Sequence, residues 1–190
     1  MTRDENGRVQ RVHILAVSGS LRAASKNRSL LEAAQLLAPP GVEIVLDWSL
    51  AALPHYNPDL DTIDALALPD VAADWRARVG RSDGVLLSSP EYAHGIPGVL
   101  KNALDWLVSS TEFPGKPVAL LCASAMSAIA PVQLREILET MNARFVDEAS
   151  IMVPVPGAGA DGATIAADPA LAPMLRAALG AFLREIESRS

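Results

Sequence analysis

Short apolar runs alternate along the chain with longer segments in which apolar residues recur every three or four positions. A short run of this kind is typical of a buried strand, and the wider spacing is typical of a helix with one buried face. The predicted strands are residues 12–17, 42–46, 84–89 and 118–122, followed by either 145–146 or 150–153. The apolar residues that would form the buried faces of the predicted helices lie within residues 30–37, 69–81, 97–108, 131–141 and 169–186. Strand and helix alternate five times, which predicts a parallel sheet with helices on both faces.

Residues with known positional preferences mark the ends of these elements. The first helix ends before Pro39, and Pro97 opens a later helix because proline suits the first helical position. Asp168 is predicted to cap the last helix at its N-terminus. Residues 48–67 are irregular and rich in proline and aspartate, so we expect a long surface loop there.

The length and composition fit one globular domain. The chain has 190 residues, half of them hydrophobic and a fifth charged, which is enough apolar material for a buried core. The first ten residues are polar and predict a flexible N-terminal segment, so we place the domain at residues 11–190. No apolar run reaches the about 18 residues that a membrane span needs, and the N-terminus does not resemble a signal peptide. We therefore expect a cytoplasmic protein without a membrane partner.

The charged residues, the cysteine and the histidines exclude several function classes. With 22 acidic and 16 basic residues the formal net charge is −6, which argues against binding nucleic acid over a broad basic face. The single cysteine, Cys122, excludes an internal disulfide framework and a CxxC redox pair. The three histidines, His13, His55 and His94, are scattered, so we expect no metal site.

Candidate chemistry lies in the loops at the carboxyl ends of the strands, where open parallel sheets bind ligands. Residues 18–28 combine serine hydroxyls, the start of a helix and nearby cations. These groups suit a phosphate, because a helix N-terminus adds partial positive charge. The alternative is that Ser20 or Ser25 only caps the helix. The loop has neither GxxxxGK(S/T) nor GxGxxG, so nucleotide triphosphate hydrolysis and a dinucleotide-binding Rossmann start are disfavoured.

A GxGxxG spacing does occur at Gly157, Gly159 and Gly162, after a proline-broken stretch. The chain that remains is too short for the ~30-residue βαβ unit that a dinucleotide fingerprint requires. We interpret this stretch as a flexible loop without a dinucleotide.

The loop after the third predicted strand, residues 88–98, is punctuated by proline and glycine and carries one aromatic side chain, Tyr92. A rigid turn of this type can lie against a planar ligand and aim backbone amides at its polar rim. The alternative is an ordinary strand-to-helix connection in which Tyr92 only packs. His94 fits an exposed turn residue better than a general base.

Three motifs resemble those of the NADPH-dependent FMN reductase family. The first is Gly19-Ser20-Leu21-Arg22 followed by Ser25, Asn27 and Arg28, which resembles the phosphate loop of that family. The second is Pro90-Glu91-Tyr92 followed by IPGVLKNALDW at 96–106. The third, LP at 53–54 with YNPDL at 56–60, resembles the loop after the family's second strand. The resemblance covers roughly residues 12 to 155.

This resemblance implies a flavodoxin-like α/β/α sandwich with a five-stranded parallel sheet in the order 2-1-3-4-5. It implies FMN as cofactor, NADPH or NADH as electron donor, and a quinone, chromate, an azo dye or a flavin as acceptor. No catalytic side chain is expected, because the flavin carries the chemistry. A homodimer or homotetramer is also implied, with an interface near the flavin that uses the helix containing Lys101 to Trp106. The implied cofactor-binding residues are Ser20, Arg22, Ser25 and Asn27 around the phosphate, and Pro90, Glu91, Tyr92, Ala93 and Ser124 on the side of the ring.

Two features depart from the family pattern. The loop 124–131 lacks the glycines that permit a close approach of backbone to the flavin, and Ala93 stands where many relatives carry asparagine. The altered loop 124–131 motivates a second hypothesis, an FMN-binding carrier or sensor with little turnover. A hydrolase using Ser18 or Ser20 is disfavoured, because the chain has neither a GxSxG elbow nor a placed histidine.

Positive charge is concentrated near the first motif. Between Arg8 and Leu31 the chain carries five basic residues and no acidic one, so the remainder carries −11 and the two parts sum to −6. The acidic chain therefore gathers positive charge where the phosphate is expected.

Overall fold

The computed structural model describes residues 11–61, 68–124, 128–155 and 159–188, and its strands form one parallel sheet. The strands are β1 (Val12–Ser18), β2 (Val42–Asp47), β3 (Gly84–Ser88), β4 (Pro117–Cys122), β5 (Arg144–Phe145) and β6 (Ile151–Met152). The helices are α1 (Lys26–Leu36), α2 (Asp70–Arg81), α3 (Gly98–Asp105), α4 (Ala130–Thr140), α5 (Gly162–Ala167) and α6 (Leu171–Glu187). The order across the sheet is β2-β1-β3-β4-β5, and β6 also pairs with β4. The expected flavodoxin-like order 2-1-3-4-5 is confirmed.

Burial along the strands follows their place in the sheet. Every residue of β3 and β4 is buried, because helices cover both faces of the central strands. The edge strand β2 instead buries Ile44 and Asp47 and leaves Glu43 and Val45 exposed. Central strands therefore carry continuous apolar runs, as the sequence pattern predicts.

Two hydrophobic cores lie on opposite faces of the sheet. Successive residues of β1 point to opposite faces, so Ile14 belongs to one core and Leu15 to the other. The Ile14 face is covered by α1, α5 and α6, and the Leu15 face by α2, α3 and α4. This arrangement is the predicted three-layer sandwich.

The fifth strand position is divided between two short strands. β5 pairs with Pro117 and Val118 at the start of β4, and β6 pairs with Leu121 and Cys122 at its end. A 3-10 turn, Asp147–Ala149, separates them. Both alternatives for the fifth strand are therefore present, because the chain leaves the sheet and returns to it.

The C-terminal segment differs from the sequence prediction in one element. Residues 162–167, interpreted as part of a flexible loop, form the short helix α5, whose cap is Asp161. Its carboxylate accepts a hydrogen bond from the Thr164 N–H at 2.8 Å. The Asp168 carboxylate caps α6 as predicted, since it accepts from the N–H groups of Ala170 and Leu171. Gly157, the first glycine of the GxGxxG spacing, lies outside the described residues.

The loop after β2 is held against α3 by side-chain hydrogen bonds. Asn102 accepts from the Tyr56 N–H at 2.7 Å and donates to the Pro54 carbonyl at 2.9 Å. The indole of Trp106 donates to the same carbonyl at 2.8 Å and meets the Tyr56 ring edge to face at 5.1 Å. The second and third sequence motifs are therefore in contact. Residues 62–67 of the predicted surface loop lie outside the described residues.

No helix among the described residues is long and apolar enough to cross a lipid bilayer. The segment 1–10, expected to be flexible, is likewise outside the part of the chain that the structure describes.

Candidate functional site

A cleft of about 840 Å³ opens at the carboxyl ends of the central strands. Its walls come from the β1–α1 loop, the start of α1, the loop after β3, the end of β4 and the segment before α5. Eight of the nine predicted cofactor-binding residues line it, namely Ser20, Arg22, Ser25, Asn27, Pro90, Glu91, Tyr92 and Ser124. Ala93, the ninth, does not belong to the lining. The first and second motifs thus form two sides of one cavity.

The β1–α1 loop is fixed by hydrogen bonds within the loop and by contact with the end of β3. The hydroxyl of Ser18 accepts from the Ser20 N–H at 3.1 Å, and the Gly19 N–H donates to the Ser88 carbonyl at 2.9 Å. A Cβ atom on Gly19 would lie 2.7 Å from the hydroxyl oxygen of Ser89. A side chain at position 19 would therefore force Ser89 to move, so glycine suits this close approach of the two loops.

The start of α1 presents hydrogen-bond donors to the cleft. Ser25 caps the helix by accepting from the Asn27 N–H, and the first turn contains no acidic residue. Ser20, Ser25 and Asn27 are buried polar residues that line the cavity. A helix N-terminus with hydroxyl and amide groups of this kind attracts an anion such as a phosphate. Capping by Ser25 and an anion site are both compatible with this geometry.

The three cations of the first motif lie in different environments. Arg22 is exposed and lines the cleft. Lys26 also lines it, but its Nζ donates to the Val155 carbonyl at 3.0 Å. The Arg28 guanidinium lies 4.2 Å from the centre of the Trp48 ring, a cation–π contact, and is not part of the lining. Arg22 is consequently the cation of this motif most available to a ligand.

The loop after β3 makes a tight turn that carries Tyr92. The N–H and carbonyl of Tyr92 both bond to Gly95 at 2.9 Å, and the two residues between them, Ala93 and His94, have φ angles of 49° and 59°. Two successive positive φ values are the geometry of a type I′ turn. The Tyr92 side chain is 55% exposed at the mouth of the cleft. His94 is exposed, which agrees with its interpretation as a turn residue.

Glu91 connects this turn to the start of α4. Its Oε2 accepts from the N–H groups of Ile129 and Ala130, both at 2.9 Å, and its Oε1 lies 3.2 Å from Nδ1 of His94. The backbone N–H groups of Ala130 and Ile129 hold the pKa of Glu91 below its ordinary value. Glu91 is therefore a helix-capping carboxylate in this structure and not a poised general base.

The third wall is formed by the residues that follow β4. Ala123 and Ser124 line the cleft, and residues 125–127 of the glycine-poor loop lie outside the described residues. Burial raises the pKa of the neighbouring Cys122 thiol to about 11, so this thiol is protonated at neutral pH. Cys122 does not have the character of a nucleophile.

Sequence reasoning missed a fourth wall, formed by Gly159, Ala160 and Asp161. α5 packs closely on α1, since a Cβ atom on Gly162 would lie 2.5 Å from the Cβ of Glu32. This packing brings the preceding residues to the cavity. Of these glycines Gly162 was the signal, since it is the position where the two helices approach closely. The Thr164 N–H lowers the pKa of Asp161, whose carboxylate is committed to capping α5.

The described residues contain no group of three or more side chains that could hold a metal ion. The lining of the cleft includes buried polar residues at the start of a helix and an exposed aromatic side chain. Such a lining is suited to a ligand that has both an anionic group and a planar group.

Known proteins resemble this chain in sequence and in structure. Residues 12–156 match the family model described as NADPH-dependent FMN reductase. An NAD(P)H-dependent FMN reductase of Pseudomonas aeruginosa is 36% identical over 147 residues, which cover 75% of this chain and 77% of that protein. A quinone reductase of Escherichia coli is 31% identical over 156 residues, covering 75% of this chain and 78% of that protein.

A solved structure with the same fold is that of FerB, a flavoenzyme NAD(P)H:(acceptor) oxidoreductase from Paracoccus denitrificans. It superimposes with a TM-score of 0.73 at 29% sequence identity, and the match covers 93% of this chain and 98% of that one.

Proposed function

The chain belongs to the NADPH-dependent FMN reductase family, and from this premise we propose that its cleft binds FMN and that the enzyme reduces a quinone with NAD(P)H. The observation that carries the proposal is the joining of two motifs in one cavity. Buried polar residues at the start of α1 and the Pro90-Glu91-Tyr92 turn both line it. The match to the family covers three quarters of the chain. Oxidoreductase activity is therefore the function that we assign to this cavity.

The volume of the cleft suits FMN. A volume of about 840 Å³ falls within the roughly 300–1,000 Å³ typical of small-molecule and cofactor sites. The proposed phosphate ligands are Ser20, Arg22, Ser25 and Asn27, and the proposed ring contacts are Pro90, Glu91, Tyr92 and Ser124. Ala93, expected to join the ring contacts, is instead proposed to shape the turn that carries Tyr92.

The chemistry that such a cofactor supplies is hydride transfer from NAD(P)H to the flavin ring, followed by reduction of the acceptor. The protein holds and orients the reactants and has no need of a general acid or base. Glu91 and Asp161 line the cleft, but each carboxylate is bonded to backbone N–H groups at a helix N-terminus. The buried Cys122 thiol is protonated at neutral pH. We accordingly propose no catalytic side chain.

A quinone is the acceptor best supported among those of the family. Relatives named quinone reductase occur in Escherichia coli and Pseudomonas putida, and a Burkholderia relative is named 2-hydroxy-1,4-benzoquinone reductase. Tyr92 is an exposed aromatic residue on the wall of the cleft, and such a ring is suited to contact with a planar acceptor. The rates of NAD(P)H oxidation with chromate, azo dyes and free flavin should be compared with the rate with a quinone.

We also propose that the protein is a homodimer or homotetramer. Tyr92, Ile129 and Val132 are large exposed apolar residues, with Val132 67% exposed, and Glu91 joins the turn of Tyr92 to the start of α4. An apolar surface beside the cleft is suited to contact with a second copy. The helix expected at the interface, α3 with Trp106, also contacts the loop after β2 of its own chain through Asn102 and Trp106.

The test combines cofactor binding with turnover. We expect purified protein to bind FMN and, once loaded, to oxidise NADPH in the presence of 1,4-benzoquinone. The double substitution S20A/R22A should raise the Kd for FMN at least about tenfold, because hydrogen bonds to a charged group are lost. A matched control is R81A/S82A, which removes an arginine and a serine from the opposite end of β3.

Two outcomes would contradict parts of this proposal. An FMN affinity unchanged in S20A/R22A would remove the phosphate assignment. Protein that binds FMN but shows no turnover with any acceptor would be a carrier or sensor and not a reductase.

A further inference from the structure

The backbone of β2 has one row of hydrogen-bonding groups that faces β1 and a second row that faces the free edge of the sheet. The Gly41 carbonyl, just before β2, accepts from the Val12 N–H at 3.0 Å and therefore faces β1. The direction alternates from residue to residue, because each residue of a parallel strand directs its N–H and its C=O to the same side. The residues that face the free edge are Val42, Ile44 and Leu46.

Gln35, in the last turn of α1, reaches the middle of this free edge. Its Nε2 donates to the Ile44 carbonyl at 2.7 Å, while Gln35 itself is exposed. At the start of the edge, the Val42 N–H donates to the Pro39 carbonyl at 3.1 Å in the turn that precedes β2. Both the Ile44 carbonyl and the Val42 N–H are groups that an added strand would need.

We propose that Gln35 keeps β2 from pairing with the β2 strand of a second copy of this chain. An edge strand that presents N–H and C=O groups is a template for pairing of this kind. About a two-fold axis at Ile44 the two strands would run antiparallel, and Ile44 would exchange both of its backbone hydrogen bonds with its own counterpart. The Gln35 side chain occupies the oxygen that this exchange requires.

The side chains beside the edge favour pairing once this oxygen is free. Leu36, which follows Gln35, is 61% exposed, and Val45 is 44% exposed. In the two-fold arrangement Glu43 of one strand lies opposite Val45 of the other, so the two carboxylates are not directly opposed. The hydrogen bond from Gln35 is therefore the contact to which we assign the closing of the edge.

This protection requires that α1 is packed on the sheet. Ile44 and the buried face of α1 belong to the same hydrophobic core, and this packing sets Gln35 beside the edge. The protection is thus a property of the folded chain. Gln35 is not part of the cleft lining, so the inference does not depend on the proposed function.

The test places a nitroxide spin label on β2. Val45 is replaced by cysteine and labelled, while Cys122 is buried and its thiol is protonated at neutral pH, which protects it from the label. In paired copies the labels lie on adjacent strands, about 4.8 Å apart, and dipolar coupling broadens their spectra. Spectra are recorded over a series of protein concentrations for V45C, Q35M/V45C, Q35A/V45C and L36A/V45C.

We expect both Gln35 variants to show broadened spectra at protein concentrations at least about tenfold lower than V45C, because the Ile44 carbonyl is free to pair. Methionine keeps the length of glutamine and removes its donor, so Q35M isolates the hydrogen bond, and Q35A also removes the bulk. L36A/V45C is the matched control, since it shortens the neighbouring exposed side chain and keeps Gln35. It should behave as V45C does.

The contrary outcomes are equally defined. Broadening in V45C at the same concentrations as in Q35M/V45C, or unbroadened spectra in both Gln35 variants, would show that Gln35 does not close the edge. Equal broadening in L36A/V45C would assign the effect to a loosened helix end. Broadening that survives mixing with excess unlabelled protein would arise within one copy and would also overturn the inference. The oligomer proposed above is common to all four proteins, so only the difference between them reports on β2.

Discussion

At the scale of single residues, the least favourable backbone lies in the turn that carries Tyr92. Ala93 and His94 both have φ angles in the left-handed region, at 49° and 59°. This conformation costs a residue with a Cβ atom roughly 1–2 kcal/mol, while asparagine and glycine adopt it more readily. Strain of this type persists where the surrounding structure holds it, and it is frequent at ligand sites.

Replacing Ala93 with asparagine should therefore stabilise the protein. We expect A93N to raise the free energy of unfolding by about 0.5–1 kcal/mol, because asparagine tolerates positive φ. Urea denaturation of the apoprotein measures this change. The control A177N places asparagine at an exposed position of α6 and should lose up to about 0.7 kcal/mol, because asparagine is a poor helix former. A loss of stability in A93N would mean that this turn carries no relievable strain.

Three residues of the cleft wall, which we propose as phosphate ligands, could be selected from the sequence because their chemistry is visible in their type. Ser20, Ser25 and Asn27 are donors next to a helix start, and a family motif adds their spacing. The strain at Ala93 could not be predicted, because nothing in an alanine indicates a positive φ.

At the scale of elements, the Glu91 carboxylate joins the loop after β3 to the N-terminus of α4. The N–H groups of Ala130 and Ile129 stabilise the charged form, so the folded-state pKa lies below the ordinary value of 4.5. The stabilisation is fully present above that ordinary value. It is lost as the pH falls from there through the lower folded-state pKa.

The substitution E91Q should remove this part of the acid dependence. Above pH 4.5 we expect E91Q to have a lower urea midpoint than wild type, and the two midpoints should converge as the pH falls below that value. Urea midpoints measured from neutral pH into the acid range test this expectation. Parallel midpoint curves over that range would show that Glu91 does not stabilise α4 through its charge.

The packing of α5 on α1 depends on the absence of a side chain at Gly162. A Cβ atom there would lie 2.5 Å from the Cβ of Glu32 and 3.1 Å from the Ala33 nitrogen, so G162A should cost about 1–3 kcal/mol of unfolding free energy. G98A is the matched control, because no atom lies within 4 Å of the added Cβ. Its stability should be unchanged or slightly higher, and thermal denaturation measures both variants. Equal effects in the two variants would show that α5 moves away without cost.

Short elements were the ones that sequence periodicity could not predict. α5 has six residues and buries only Gly162 and Ile165, too few for an apolar stripe to recur. The longer α6 buries seven residues at helical spacing and was predicted from that stripe. The two candidate fifth strands could not be resolved into one, because each supplies two residues of the same sheet position.

At the scale of the whole molecule, positive charge is distributed unevenly in an acidic protein. The chain carries −6 overall, yet Arg22 and Lys26 line the cleft near the start of α1. The alternation of strand and helix was sufficient to predict the layers around this cleft. The sequence could not predict which of the clustered cations would reach it, because Arg28 is held against Trp48 by the tertiary structure.

Salt should therefore weaken FMN binding more than riboflavin binding. Raising the ionic strength from roughly 0.01 M to 1 M shortens the screening length from about 30 Å to about 3 Å, which reduces attraction of the phosphate to these cations. Kd values for the two flavins at both salt concentrations provide the measurement. An equal salt response for FMN and riboflavin would contradict a phosphate held near Arg22.

The divided fifth strand also affects the aggregation of partly folded copies of the protein. A sheet edge with a long row of free N–H and C=O groups is a template for strand addition and aggregation. At one edge of the sheet the turn Asp147–Ala149 interrupts that row, so β5 and β6 each present only two residues to an added strand. The opposite edge, β2, runs without a break over six residues and exposes Val45. If this protein forms fibrils during refolding, their growth should begin at β2.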